Sequence, residues 1–153
     1  MRIICSQEEE PLGTAGPIRL ARDLLLEDDG CPFFFVFNSD IICEYPLQYM
    51  LDYHVKHGKE ATMITTQVED PSKYGVVVLA TPDGGVGRVA KFFEKPKEFI
   101  TNRINAGLYI FNKTIIDRIE LKPHFLERDI FPRLAEEGQL YSCTLKGFWM
   151  DLG

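Results

Sequence analysis

The sequence carries no excess of positive charge and no basic block: 17 lysines and arginines face 23 aspartates and glutamates, for a formal net charge of −6. The electrostatic footprint of nucleic-acid binding is therefore missing, and any phosphate must be met by a few placed cations and a metal. No apolar run approaches the roughly 18 residues of a membrane span, and the opening MRIICSQEEE fits neither a signal nor a transit peptide. The expectations are no nucleic-acid partner, no membrane partner and a cytoplasmic location. Cys5, Cys31, Cys43 and Cys143 have no metal-ligand spacing, and three of them lie in or beside apolar runs, which predicts reduced core thiols rather than zinc or disulfides. No GxSxG, HExxH or DxD pattern occurs, so hydrolysis through a covalent intermediate has no support. His54 and His57, spaced i, i+3, and His124 have no second ligand at metal spacing; solvated or capping roles are expected.

What is present is an alternation of apolar runs and turn signals over 153 residues, enough chain for one domain with a substantial core. Residues 2–5 (RIIC) read as a short strand, and Gly16-Pro17 opens a helix with Ile18, Leu20, Ala21, Leu24 and Leu25 on its apolar face. Phe33 to Phe37 (FFFVF) is predicted to be a central parallel strand buried on both faces. A helix is expected over 46–57, with strands at 61–68, 75–79, 86–94 and 104–111. Helices at 114–119 and 127–137 precede strands at 140–145 and 147–151. Pro82-Asp83-Gly84-Gly85 signals a hairpin turn and precedes a strand, which argues against a phosphate loop. The expectation is a single α/β layer fold with a mixed sheet.

Asp40 follows FFFVFNS directly, placing it where open α/β sheets bind ligands, and its hard oxygens suit Mg²⁺. A helix-capping or turn role is the bland alternative. A second carboxylate is needed, and Asp151 in GFWMDLG ranks ahead of Glu44. Trp149 beside it is read as core. In Phe93-Glu94-Lys95-Pro96, Lys95 offers a compact charge to a phosphate and Glu94 accepts hydrogen bonds from hydroxyls; the alternative is a solvated strand end. Lys91, Lys97 and Arg103 make this region locally basic. Asn105-Ala106-Gly107 sets an amide among small residues that permit close approach.

The ordered motifs PLGTAGP, FNSD, SKYGVV, FEKP, INAGLYIF and GFWMDLG resemble the nucleotidyltransferase domain of sugar-nucleotide pyrophosphorylases, and among them most closely the catalytic, beta-type GDP-mannose pyrophosphorylases. The resemblance implies a Rossmann-like nucleotide-diphospho-sugar transferase fold and conversion of GTP and mannose 1-phosphate to GDP-mannose and pyrophosphate with Mg²⁺. It further implies that Leu12, Gly13, Thr14, Ala15 and Asn38 serve the nucleotide. Gly75, Glu94, Asn105 and Gly107 would contact the sugar, Lys95 its phosphate, and Asp40 and Asp151 the metal. Catalysis would rest on Asp40, Lys95 and Asp151.

The family's domain begins with a strand and a glycine-rich loop of the form GGxGTRLRPLT, and continues into a left-handed β-helix; neither is found here. The expectation is thus a partial nucleotidyltransferase domain over residues 1–153, impaired in triphosphate binding, with an exposed strand edge. Three alternatives stay open: a non-catalytic sugar-nucleotide-binding or regulatory subunit, a nucleotidyltransferase for another sugar phosphate, and, less supported, a metal-dependent glycosyltransferase. A homo-oligomer and pairing with a related subunit are both left open.

Overall fold

The computed structural model describes residues 1–81 and 84–153. A six-stranded mixed sheet forms its centre, built from β1 (Phe33–Phe37), β3 (Ala61–Gln67), β4 (Gly75–Leu79), β5 (Gly87–Glu94), β6 (Arg103–Asn112) and β7 (Leu140–Thr144). Their order is β1-β6-β3-β7-β5-β4, with β4 also meeting β6 at Val76 and Ile104. Only β3 and β7 pair in parallel among these; the other pairings are antiparallel. A separate two-stranded ladder joins β2 (Ile41–Cys43) to β8 (Trp149–Asp151).

The mixed α/β sheet agrees with the sequence expectation, but several elements differ from it. Phe33 to Phe37 is not a central parallel strand: β1 lies at the end of the sheet and pairs antiparallel with β6 alone. Its unbroken apolar run arises because both faces of the sheet are covered. Phe34 and Val36 pack on the core containing Tyr109, Phe111 and Phe131, while Phe33 and Phe35 pack on the other, around Met50, Ile64 and Leu108. A two-faced layer demands apolar residues on both sides even at its edge.

Residues 2–5 form no strand, and Ile3 and Ile4 are exposed, because β propensity without a pairing neighbour has nothing to hold it. The predicted helix after Gly16 is two short ones, α1 (Gly16–Leu20) and α2 (Arg22–Leu26), interrupted at Ala21, with Leu20 and Leu24 exposed. By contrast α3 (Leu47–His57) is continuous and ends at Gly58, whose φ of +64° is the left-handed closure glycine supplies. The expected helix at 114–119 is a 3₁₀ segment, Lys113–Arg118. That at 127–137 is a π turn, Leu126–Ile130, followed by α4 (Phe131–Glu136). Pro132 lacks an N–H for an interior helical bond, so the α-helix starts afresh with proline in its first turn.

The thiol expectation holds for Cys143, which is buried; Cys5 is exposed and Cys31 and Cys43 are half-buried. His54 is not solvated but buried, 3% exposed, between Thr62 and Asn112. β4 and β5 are antiparallel neighbours across the predicted turn, in which Gly84 and Gly85 have positive φ. Pro82 and Asp83 of that turn lie outside the described residues. Among the described residues no helix is long and apolar enough to cross a membrane.

Candidate active site

At one end of β5, where β1, β6 and the β2–β8 ladder converge, lies a cleft of about 170 Å³. Asn38, Asp40, Gly75 and Glu94 line it, as do Lys95, Asn105, Gly107 and Asp151. Sequence distances of more than a hundred residues are closed here by strand pairing. Ile41 of β2 stands opposite Asp151 of β8, and Leu152 N–H donates to the Asp40 carbonyl at 2.9 Å. This brings the two carboxylates together: Asp151 Oδ1 and Asp40 Oδ2 each lie 3.1 Å from the point a β-carbon on Gly153 would occupy.

Two converging aspartates suit Mg²⁺, which takes hard oxygens and commonly binds through one or two carboxylates plus substrate phosphates and water. Among the described residues no cluster of three or more histidine, cysteine or acidic side chains forms a complete protein cage. Glu44, the weaker sequence candidate, is exposed and does not line the cleft.

The sugar-side residues rest on a distortion of β6. Its pairing with β3 shifts between Met63 and Thr65, opposite Ala106-Gly107-Leu108. Gly107, at φ +81°, lies in that bulge, and a β-carbon on it would fall 2.9 Å from Asn38 Nδ2 and 3.0 Å from Ile41 Cγ1. Bulges re-aim side chains beside functional sites, and this one orients Asn105. Its Nδ2 donates to Tyr109 Oη at 2.7 Å, and its Oδ1 accepts from Gly107 N–H at 2.9 Å. Tyr109 is fully buried and its phenol is pushed well above its ordinary pKa by that burial, so it stays neutral beneath the cleft.

Glu94 ends β5 half-buried. Burial, reinforced by the nearby Glu127 carboxylate, raises its carboxyl above the usual range; Lys95 and Arg128 oppose the shift. Its Oε2 is buried without a protein hydrogen-bond partner, beside Gly75, where a β-carbon would meet that oxygen at 3.1 Å and the Phe92 ring at 2.4 Å. A buried acceptor left unpaired is costly. Lys95 lies 3.8 Å from Glu94 Oε1 and, at φ +43°, is the single non-glycine residue with positive φ among the described residues.

The loop Leu12–Ala15 does not line this cleft. It is stitched to the segment at 124–127: His124 N–H donates to the Leu12 carbonyl at 3.0 Å and Ala15 N–H to the His124 carbonyl at 2.9 Å. A β-carbon on Gly13 would sit 2.6 Å from that His124 oxygen, so close approach of the chain to itself already accounts for this glycine. Ala15 is buried. The loop reaches the cleft through Thr14, whose hydroxyl donates to Glu127 Oε2 at 2.6 Å.

Lys73, Tyr74, Glu127 and Trp149 complete much of the lining. Trp149 packs partly on the core, as expected, but also faces the cleft, with Nε1 donating to the Ala106 carbonyl at 3.0 Å and its ring edge-on to Tyr74. Lys73 and Tyr74 sit inside the SKYGVV motif, a signal that covered them without singling them out. Glu127, in an unremarkable LERDI run, carried no sequence signal. The basic neighbours Lys91, Lys97 and Arg103 stay outside the cleft; Arg103 instead donates to Thr65 and Thr144.

A mixed α/β sheet with carboxylates, a lysine and amides gathered at strand ends defines an α/β protein with a polar cleft where such sheets bind their ligands. The chain belongs to the nucleotidyl transferase family, whose match spans residues 1–153. It is 54% identical over 153 residues to mannose-1-phosphate guanyltransferase beta-A of Xenopus laevis and to mannose-1-phosphate guanylyltransferase 1 of Arabidopsis thaliana. The alignments cover 100% of this chain and 41% of each relative, so the chain spans less than half the length of these curated relatives. The crystal structure of HddC from Yersinia pseudotuberculosis complexed with GMP-PN superposes with a TM-score of 0.71 at 27% identity, covering 95% of this chain and 59% of that one.

Proposed function

We propose that this chain carries the sugar-phosphate and metal side of a mannose-1-phosphate guanylyltransferase, a cytoplasmic enzyme converting GTP and mannose 1-phosphate to GDP-mannose and pyrophosphate. The observation that carries the reading is the convergence of Asp40 and Asp151 in the same cleft as Lys95 and the unpartnered Glu94 oxygen. The 54% identity to two enzymes bearing that name supports it, and the HddC complex with a guanine nucleotide analogue is consistent with guanine as the base.

The sugar phosphate arrives with its own ionised oxygen as nucleophile, so no general base is needed. That oxygen attacks the α-phosphorus of GTP; the new P–O bond forms as the bond to the β-phosphoryl oxygen breaks, and pyrophosphate leaves with the electron pair. The protein's task is alignment and charge neutralisation. Lys95 holds the sugar's phosphate, while Glu94, Asn105 and the main chain at Gly75 and Gly107 fix the sugar. Leu12, Gly13, Ala15 and Asn38 form the nucleotide side. Asp40 and Asp151 would hold Mg²⁺, which when bound supplies neutralisation of charge on the phosphates.

The test is production of GDP-mannose from GTP, mannose 1-phosphate and Mg²⁺ by the full-length protein containing this chain, followed by the same assay on D151N. The substitution is expected to lower kcat by about 10²-fold or more, the scale seen when one preorganised electrostatic group is lost. Failure of the unsubstituted protein to make GDP-mannose, with calorimetry showing sugar-nucleotide binding alone, would replace this reading with that of a binding subunit.

A further inference from the structure

We propose that Thr14 is a positioning residue for the sugar subsite: its side chain orients the Glu127 carboxylate, which shares the cleft with Glu94, rather than reading the nucleobase. The inference rests on the sugar-phosphate reading of the cleft given above. Its observations are the two bonds made by one hydroxyl. Thr14 Oγ1 donates to Glu127 Oε2 at 2.6 Å and accepts from Leu126 N–H at 2.8 Å. The hydroxyl's single proton is thereby committed to the carboxylate, and one of its lone pairs to the main chain.

The same two elements are held in register on either side of this contact. His124 N–H binds the Leu12 carbonyl, and Ala15 and Gly16 N–H both reach the His124 carbonyl, at 2.9 and 3.3 Å. Loop and carboxylate-bearing segment are therefore tied together, with Thr14 as the only link in this set that ends on a cleft-lining charged group. Glu127 is half-buried and lines the cleft together with Glu94, close enough for its charge to act on Glu94. Without the hydroxyl, Glu127 loses the bond that selects its rotamer. A carboxylate that must accept from sugar hydroxyls in a defined direction then pays in affinity for the ordering it previously had.

Steady-state kinetics on the full-length protein, varying mannose 1-phosphate and GTP separately, test the assignment. Thr14→Val is expected to raise the KM for mannose 1-phosphate about tenfold, the equivalent of one hydrogen bond to a charged group. The KM for GTP should stay within about twofold, and Thr14→Ser, which keeps the hydroxyl, should restore the sugar-phosphate KM. In a double-mutant cycle with E127Q the two changes should be strongly non-additive, as expected for residues acting as a unit; T14A completes the same cycle should T14V not fold. A rise in the GTP KM with the sugar-phosphate KM unchanged, no change in either, or additivity with E127Q overturns the inference alone. An unsubstituted protein that makes no GDP-mannose overturns the functional reading beneath it.

Discussion

Replacing Tyr109 by phenylalanine removes one oxygen from the floor of the cleft and leaves the ring in place. That ring is fully buried and packs against Phe111 and Phe131, with centroids 5.6 and 5.1 Å away. The aromatic packing survives the change, so no large cavity opens. What is lost is the acceptor for Asn105 Nδ2, 2.7 Å away. An amide donor left unpaired in a buried setting costs about 1–3 kcal/mol. For a domain of this size that corresponds to a fall in melting temperature of roughly 2–12 °C, at about 2–4 °C per kcal/mol. Calorimetric melting of Tyr109→Phe beside the unsubstituted protein measures it directly. A melting temperature unchanged within about 1 °C would refute the view that this hydroxyl satisfies Asn105 and would make Tyr109 a purely apolar core residue.

Gly107→Ala is expected to destabilise by about 1–3 kcal/mol, since φ is +81° and the added carbon would press on Asn38 Nδ2 at 2.9 Å; denaturant unfolding that shows no loss would contradict the bulge geometry. Stability should also fall on acidification between about pH 6.5 and 4. His57 is lowered from 6.5 to about 4, chiefly by burial, and His54 is lowered for the same reason. A depressed histidine binds its proton more readily when unfolded, so its contribution is complete above about pH 6.5 and drains away as pH drops toward 4. After discounting for solvent screening at the partly exposed His57 ring, about 1–2 kcal/mol is expected. Urea unfolding across this range, with His57→Phe showing a shallower slope, checks it; equal slopes would refute it.

The chemistry-bearing motifs were more legible than the strand order. Asp40, Glu94, Lys95, Asn105 and Asp151 all sit beside turn or strand-end signals, and the structure gathers them into one cleft. Phe33 to Phe37 misled because a sequence records how many faces of a strand are covered and not how many neighbours it pairs with; two covered faces look alike at the centre and at the edge. His54 was misread because its partners, Thr62 and Asn112, come from β3 and β6. Only those pairings turn a polar residue on α3 into an interior one. Glu127 was invisible for a related reason, its position being fixed by a threonine 113 residues away. Local patterns show what a segment is built to do. Long-range hydrogen bonds decide where it does it.

Lys95 has a consequence for anyone who engineers this protein. Its left-handed backbone, φ +43°, is a conformation in which glycine or asparagine would sit more comfortably. A search for thermostable variants alone would therefore find the lysine an easy residue to discard, relieving strain on the order of 1 kcal/mol. The stabilised chain would fold well and melt late. It would also lack the cation proposed to hold the sugar's phosphate, so selection for heat resistance at this position needs a functional screen run beside it.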